Sequence, residues 1–161
     1  MTDAPEILIV GDGPVAQALS PMVVALGWTP TTVTSIEDVG AALERSDATV
    51  VLSHHEGVDG PAIRAALAAG TAYVGAMGSR KTQARRRDWL LANGVTEQAL
   101  STLRAPIGLD IGADEAGEIA VSILAEIVAV RRGSAGSGSV SDRAGAIHPD
   151  QEPGTATCPG G

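Results

Sequence analysis

The sequence has no phenylalanine, one tyrosine and two tryptophans in 161 residues, so any core must be filled by Ala, Val, Leu and Ile. That filling suits helices lying close on a sheet and disfavours an all-β sandwich, whose strands draw on aromatic pairs. Cysteine is nearly absent too. The single one, Cys158, stands near the end in a Gly/Pro-rich stretch, which excludes an internal disulfide and a Cys-based zinc site. No stretch reaches the ~18 to 20 continuous apolar residues of a membrane span, and Met1–Glu6 lacks the basic opening of a secretory signal, so a cytoplasmic protein is expected. Basic residues are few: 11 Lys and Arg face 19 Asp and Glu, for a net charge of −8. That balance opposes a nucleic acid partner, whose backbone is held by many cations.

The length suits one compact domain rather than two. Residues 1–132 alternate short β-branched runs with Ala-rich amphipathic stretches, the pattern of βαβ units on a parallel sheet. Strands are expected at Ile7–Val10, Thr31–Thr34, Thr49–Leu52 and Ala72–Gly75, with a shorter fifth near Ala105–Leu109. Helices are expected at Pro14–Leu26, Ile36–Arg45, Pro61–Ala69, Arg80–Ala92, Glu97–Leu103 and Glu115–Val130. Ser35 with Asp38 resembles a capping box, Thr96 precedes Glu97 as a cap, and Gly27, Gly70 and Gly94 stand where helices should stop. Pro21 should kink the first helix. From 133 to 161 the chain has almost no large apolar side chains and reads as a disordered tail. The fold class that follows is α/β, a doubly wound Rossmann-like parallel sheet.

The first strand runs into Gly11-Asp12-Gly13-Pro14-Val15-Ala16, a G-x-G-x-x-A between a strand and a helix, as a dinucleotide fingerprint requires. Gly11 permits a tight turn, Gly13 lets backbone approach a ligand, and Ala16 lets the helix sit close on the sheet. The helix N-terminus would then face an anion, although the same small residues also serve a plain βα turn. The acidic ribose reader of an NAD site is missing: its place holds Thr34 and Ser35, and no basic residue precedes Arg45 to read a 2′-phosphate. NAD(P) is therefore disfavoured as a cofactor.

A second anion site is expected at Tyr73–Thr82, where small residues close a strand and a basic helix opens. Gly75 and Gly78 free the backbone, Ser79 can cap the helix, and Arg80 can fork onto a phosphate or carboxylate. Arg85 and Arg86 are expected to be solvated and to balance nearby acids. In a doubly wound sheet the first and fourth strands are taken as neighbours, so Gly11–Ala16 and Gly78–Arg80 would open on one crevice. His54 ends the third strand and could donate to an anion, whereas His55 points the other way. Asp110, between Gly108 and Gly112, could accept a hydrogen bond from a ligand such as a ribose, or serve a turn. No catalytic residue, metal site or Ser-His-Asp order stands out.

Taken together, YVGAMGSRKTQARR from Tyr73, APIGLDIGA over 105–113 and EIAVSILAEIVAVRRG over 118–133 closely resemble the C-terminal Rossmann domain of the XdhC/CoxI family of accessory factors for molybdenum hydroxylases. GDGPVAQALSPMVVALGW resembles that family's first βα unit, Pro21 included. The resemblance implies a cofactor-binding chaperone rather than a catalyst. Such a protein binds molybdenum cofactor, as molybdopterin or its cytosine dinucleotide, for insertion or sulfuration. It then hands the cofactor to an apo-hydroxylase such as xanthine dehydrogenase or carbon monoxide dehydrogenase. Three departures stand out. The family's N-terminal, cysteine-bearing domain would be supplied elsewhere, as by a separate chain, or be absent. The second strand lacks its closing acid and a following edge strand. The family's Thr-His-Asp is Ser53-His54-His55, keeping His54 but not the carboxylate. A homodimer is compatible with the resemblance. An NAD(P)-dependent oxidoreductase and a degenerate Rossmann interaction module are the alternatives.

Overall fold

The computed structural model of the chain describes residues 4–134, 138 and 140–142. Most of the expected tail, with His148 and Cys158, lies outside the described residues. Five strands form one sheet: β1 Glu6–Val10, β2 Thr29–Val33, β3 Ala48–Val51, β4 Tyr73–Ala76 and β5 Leu103–Arg104. Their order is β2-β1-β3-β4-β5 and every pairing is parallel. The helices are α1 Pro14–Ala25, α2 Ile36–Leu43, α3 Glu56–Ala69, α4 Arg80–Ala92, α5 Glu97–Leu100 and α6 Ala116–Arg131. The α/β, Rossmann-like fold expected from the alternation is the fold observed.

Successive strand residues point to opposite faces, and the central strands feed two cores. Ile7 and Ile9 of β1, Val50 of β3 and Tyr73 of β4 pack with Leu19 and Val23 of α1 and with Ile123 and Ile127 of α6. Leu8, Val10, Val51, Val74 and Ala76 pack on the other face with Val39 of α2, Ile63 of α3 and Leu90 of α4. Burying each such side chain contributes roughly 1.5–3 kcal/mol. No strand lies beyond β2 among the described residues, so β2 is an edge.

Four local expectations are corrected. The first and fourth strands are not neighbours, because β3 pairs with both β1 and β4. Helix α3 starts at Glu56 and carries Pro61 inside it; the carbonyl that loses its donor is that of Gly57, which is exposed and can bond to water. β5 is two residues, Leu103–Arg104, and ends where Pro106, which has no N–H, follows Ala105 through a cis peptide. At Ser35 the hydroxyl donates to the Asp38 carboxylate at 2.9 Å rather than capping backbone. Helix α1 runs unbroken through Pro21. The stops at Gly27, Gly70 and Gly94 have positive φ as expected, and Thr96 Oγ1 accepts from Ala99 N–H at 3.1 Å.

Candidate functional site

Parallel strands bring all their following turns to one edge of the sheet, the edge where open α/β folds bind ligands. Three groups of expected residues meet there without merging into one crevice.

The first is the β1–α1 turn. Gly11 has φ of +120°, and a Cβ on it would stand 2.8 Å from the Ser53 backbone nitrogen, so its glycine answers to the close approach of the turn after β3. Gly13 is different. Its φ is −70° and a Cβ there would meet nothing within 4 Å, leaving open space in front of a helix whose first-turn amides lack intrahelical carbonyls. α1 carries no acidic residue in its first turn and no side-chain cap. Ala16 is buried and packs α1 on the sheet, the role foreseen for the last small residue of the motif.

The second is the β4–α4 turn with the segment after β5. Ser79 caps α4, its Oγ accepting from Thr82 N–H at 3.2 Å. The turn's carbonyls accept from the helix it precedes: Gln83 Nε2 donates to Ala76 O at 3.0 Å, and Arg86 Nη1 donates to Met77 O at 2.5 Å. A pocket of about 510 Å³ opens beside it, with Gly78, Arg80, Gly108, Asp110 and Gly112 in its walls. Arg80 and Asp110 are exposed, and neither makes an ion pair among the described residues. Gly75 does not reach this pocket. It is buried in β4, where a Cβ would stand 2.5 Å from the Ile107 side chain.

Glu126 of α6 does not line the pocket but holds its wall residue Gly108 from behind. Its Oε2 accepts from Tyr73 Oη at 2.6 Å and from Gly108 N–H at 2.9 Å. Burial, and then the bond to Glu126 and its charge, push the Tyr73 hydroxyl well above its ordinary pKa, with Arg104 opposing weakly. Gly108 has φ of +101°, and a Cβ there would stand 2.4 Å from Ser122 Oγ, so only glycine brings its N–H to the carboxylate.

The third group is His54, which lines a separate cavity of about 410 Å³ between α3 and α4 together with Asp59, Gly60 and Trp89. Arg86 closes its floor, Nη2 donating to Asp59 Oδ2 at 2.6 Å, with side chains only 10% and 5% exposed. The expectation of a solvated Arg86 is corrected, because α3 starts early enough to bring Asp59 to it. Arg85 is exposed and pairs loosely with Glu56 at 3.8 Å, as expected. Sequence reasoning did not find Asp59, Trp89 or Glu126. Glu126 alone carried a signal, a carboxylate among the apolar residues of the last helix.

Two curated relatives from Escherichia coli strain K12 match. One is the uncharacterized protein YqeB, 29% identical over 82% of this chain and 28% of its own length. The other is the molybdenum cofactor insertion chaperone PaoD, 30% identical over 78% of this chain and 40% of its own length. The chain thus spans less than half of either. Among solved structures, a Bacillus halodurans protein described as a xanthine dehydrogenase superposes with a TM-score of 0.64 at 21% identity, over 81% of this chain and 43% of that one, a likeness of fold. The family model of the XdhC Rossmann domain matches residues 7–127, and the chain belongs to that family.

Proposed function

We propose that this domain holds molybdenum cofactor at the carboxyl edge of its sheet and passes it to the apoenzyme of a molybdenum hydroxylase, such as xanthine dehydrogenase or carbon monoxide dehydrogenase, for insertion or during sulfuration. The observation that carries this reading is the glycine-walled pocket with Arg80 at its rim and no ion pair to Arg80 among the described residues. An unpaired guanidinium on a chain of net charge −8 is matched to a single phosphate and ill matched to a polyanion. The pocket's volume lies within the roughly 300–1,000 Å³ of small-molecule sites. The relative named as a molybdenum cofactor insertion chaperone points the same way.

The residues present fit the group. Arg80 and the first-turn amides of α4 would hold its phosphate. Gly78, Gly108 and Gly112 keep the walls free of side chains, and Asp110 would accept from an N–H of the pterin. Gly13 leaves a second opening for an anion at α1, two strands along and beyond β3. There this chain would bind, orient and shield the cofactor, whose molybdenum centre would supply the redox chemistry of the recipient enzyme. Molybdopterin and its cytosine dinucleotide share the phosphate this site would grip. An NAD site is opposed by Thr34, by Ser35, and by Asp38, whose carboxylate is bonded to the Ser35 hydroxyl at the helix start.

The test is native mass spectrometry of the protein co-expressed with the molybdopterin pathway. Retention of a pterin mass supports the reading, and its persistent absence from purified protein overturns it. Micromolar binding of NAD or NADP in calorimetry would favour an oxidoreductase instead.

A further inference from the structure

The cavity between α3 and α4 has a feature that the fold does not explain. Asp59 is nine-tenths buried, and only one of its oxygens is used. Oδ2 accepts from Arg86, whereas Oδ1 is buried with no hydrogen-bond partner among the described residues. A buried acceptor left unmade is costly, and native structures retain few of them. Beside it, Gly60 has no side chain, and a Cβ there would stand 2.8 Å from the ring of Trp89. The indole therefore lies against bare backbone while remaining 38% exposed. Thr82 and His54 offer further polar atoms on the cavity wall.

We propose that this cavity is a second ligand site, taking a flat nitrogen heterocycle that presents neighbouring N–H donors, the amino-oxo edge shared by pterins and guanine. The carboxylate of Asp59 is the acceptor for that edge, with Arg86 holding it in place. Trp89 supplies the flat surface on which such a ring stacks. The site is distinct from the pocket at Arg80, since the two lie on either side of the first turns of α4 and share no lining residue. If the ligand is a pterin, this site is additional to the one in the proposed function, where Asp110 would receive the cofactor's own pterin edge.

The two tryptophans make the test internal. Trp28 packs near Arg131, whose guanidinium lies 5.2 Å from its ring centre, and Trp89 lines the cavity. Neopterin, guanosine and cytidine are titrated into isotope-labelled full chain while the two indole N–H resonances are followed. Neopterin or guanosine is expected to move Trp89 and leave Trp28 in place; which of the two binds tighter assigns the source. Cytidine, which offers one amino donor beside an acceptor, is expected to bind at least ten-fold more weakly. Trp89→Leu, which lacks the reporting indole and is followed by calorimetry, is expected to weaken binding about ten-fold, and Asp59→Asn, which keeps the shape and an acceptor for Arg86, by ten-fold or more. Arg80→Ala, at a residue that does not line this cavity, is expected to change it less than two-fold. Should Asp59→Asn fail to fold, Trp89→Leu and the cytidine comparison still decide. The inference is overturned if millimolar neopterin and guanosine leave Trp89 unmoved, or if cytidine moves it equally. A co-purified cofactor with an unmoved Trp89 would leave the proposed function standing and remove this subsite alone.

Discussion

Tyr73 of β4 and Glu126 of α6, 53 positions apart, share a hydrogen bond of 2.6 Å inside the core. The same carboxylate oxygen accepts from Gly108 N–H, so one buried group ties the sheet, the last helix and the wall of the Arg80 pocket together. The chain has a single tyrosine, which makes its ionisation directly observable. With the folded hydroxyl held far above the ordinary value of 10.0, the unfolded chain loses this proton above about pH 10 while the folded chain keeps it. Stability from this group is fully present below pH 10 and declines above it, by about 1.4 kcal/mol per pH unit. Urea unfolding should show stability falling by about 1.4 kcal/mol in total between pH 9 and 11, the full slope being reached only about one unit above pH 10, and Tyr73→Phe should remove that fall. Tyrosinate absorbance appearing in the folded protein near pH 10 would contradict the arrangement.

Removing the carboxylate tests the same node from the other side. Glu126→Ala leaves a buried hydroxyl and a backbone N–H unpaired, at about 1–3 kcal/mol each, and frees the wall at Gly108. A fall in the thermal midpoint on the order of 10 °C is expected, with a loss of ligand affinity exceeding that of Tyr73→Phe, which leaves the bond to Gly108 intact. Equal affinities in the two variants would mean that Glu126 does not position the wall.

The parts of this structure that were legible in the sequence are those set within a few residues. Ser79 caps α4, Thr96 caps α5, and Gly27, Gly70 and Gly94 stop their helices because each signal acts on its own turn. Strand order acts at a distance. Nothing in the local pattern said that β3 would insert beside β1, and the expected single crevice was lost with that neighbour relation. The burial of Arg86 was hidden for a related reason. Pro61 was read as the first residue of its helix, so the turn carrying Asp59 was not placed opposite the basic face of α4. Family motifs reached further than spacing, since they located the glycine-rich segment 105–113 that walls the larger pocket.

The two glycines of the first turn should separate fold from binding. Gly11→Ala puts a Cβ 2.8 Å from backbone at φ of +120°, and both faults are hard to relieve, so marked destabilisation or failure to fold is expected. Gly13→Val meets no protein atom within 4 Å, so its cost should stay within about 1 kcal/mol, the scale of a lost cap preference. It should nevertheless abolish anion binding at α1. Thermal unfolding and ligand titration of both variants check this, and a Gly13→Val protein that binds as well as wild type would show that the opening at α1 is not used.

Arg80 and Arg86 belong to one helix, yet they should fail in different measurements. Arg80 is exposed with no ion pair among the described residues, so Arg80→Ala should alter stability by less than about 0.5 kcal/mol. If it grips the phosphate, losing that charge-assisted bond costs roughly 1.5–3 kcal/mol, and molybdopterin should bind about ten-fold to a hundred-fold more weakly. Arg86 sits 10% exposed against Asp59 and also holds the carbonyl of Met77. Arg86→Ala leaves the Asp59 carboxylate buried without its counter-charge, a loss of about 3–5 kcal/mol. Its effect should therefore appear first as a lowered unfolding midpoint. Any weakening of ligand binding would follow from the slackened turn at Met77 and Gly78. Denaturation curves for both variants, with titrations below the lower midpoint, separate the two roles. An Arg86→Ala protein as stable as wild type would contradict the buried pair, and an Arg80→Ala protein with undiminished affinity would remove the anion site on which the proposed function rests.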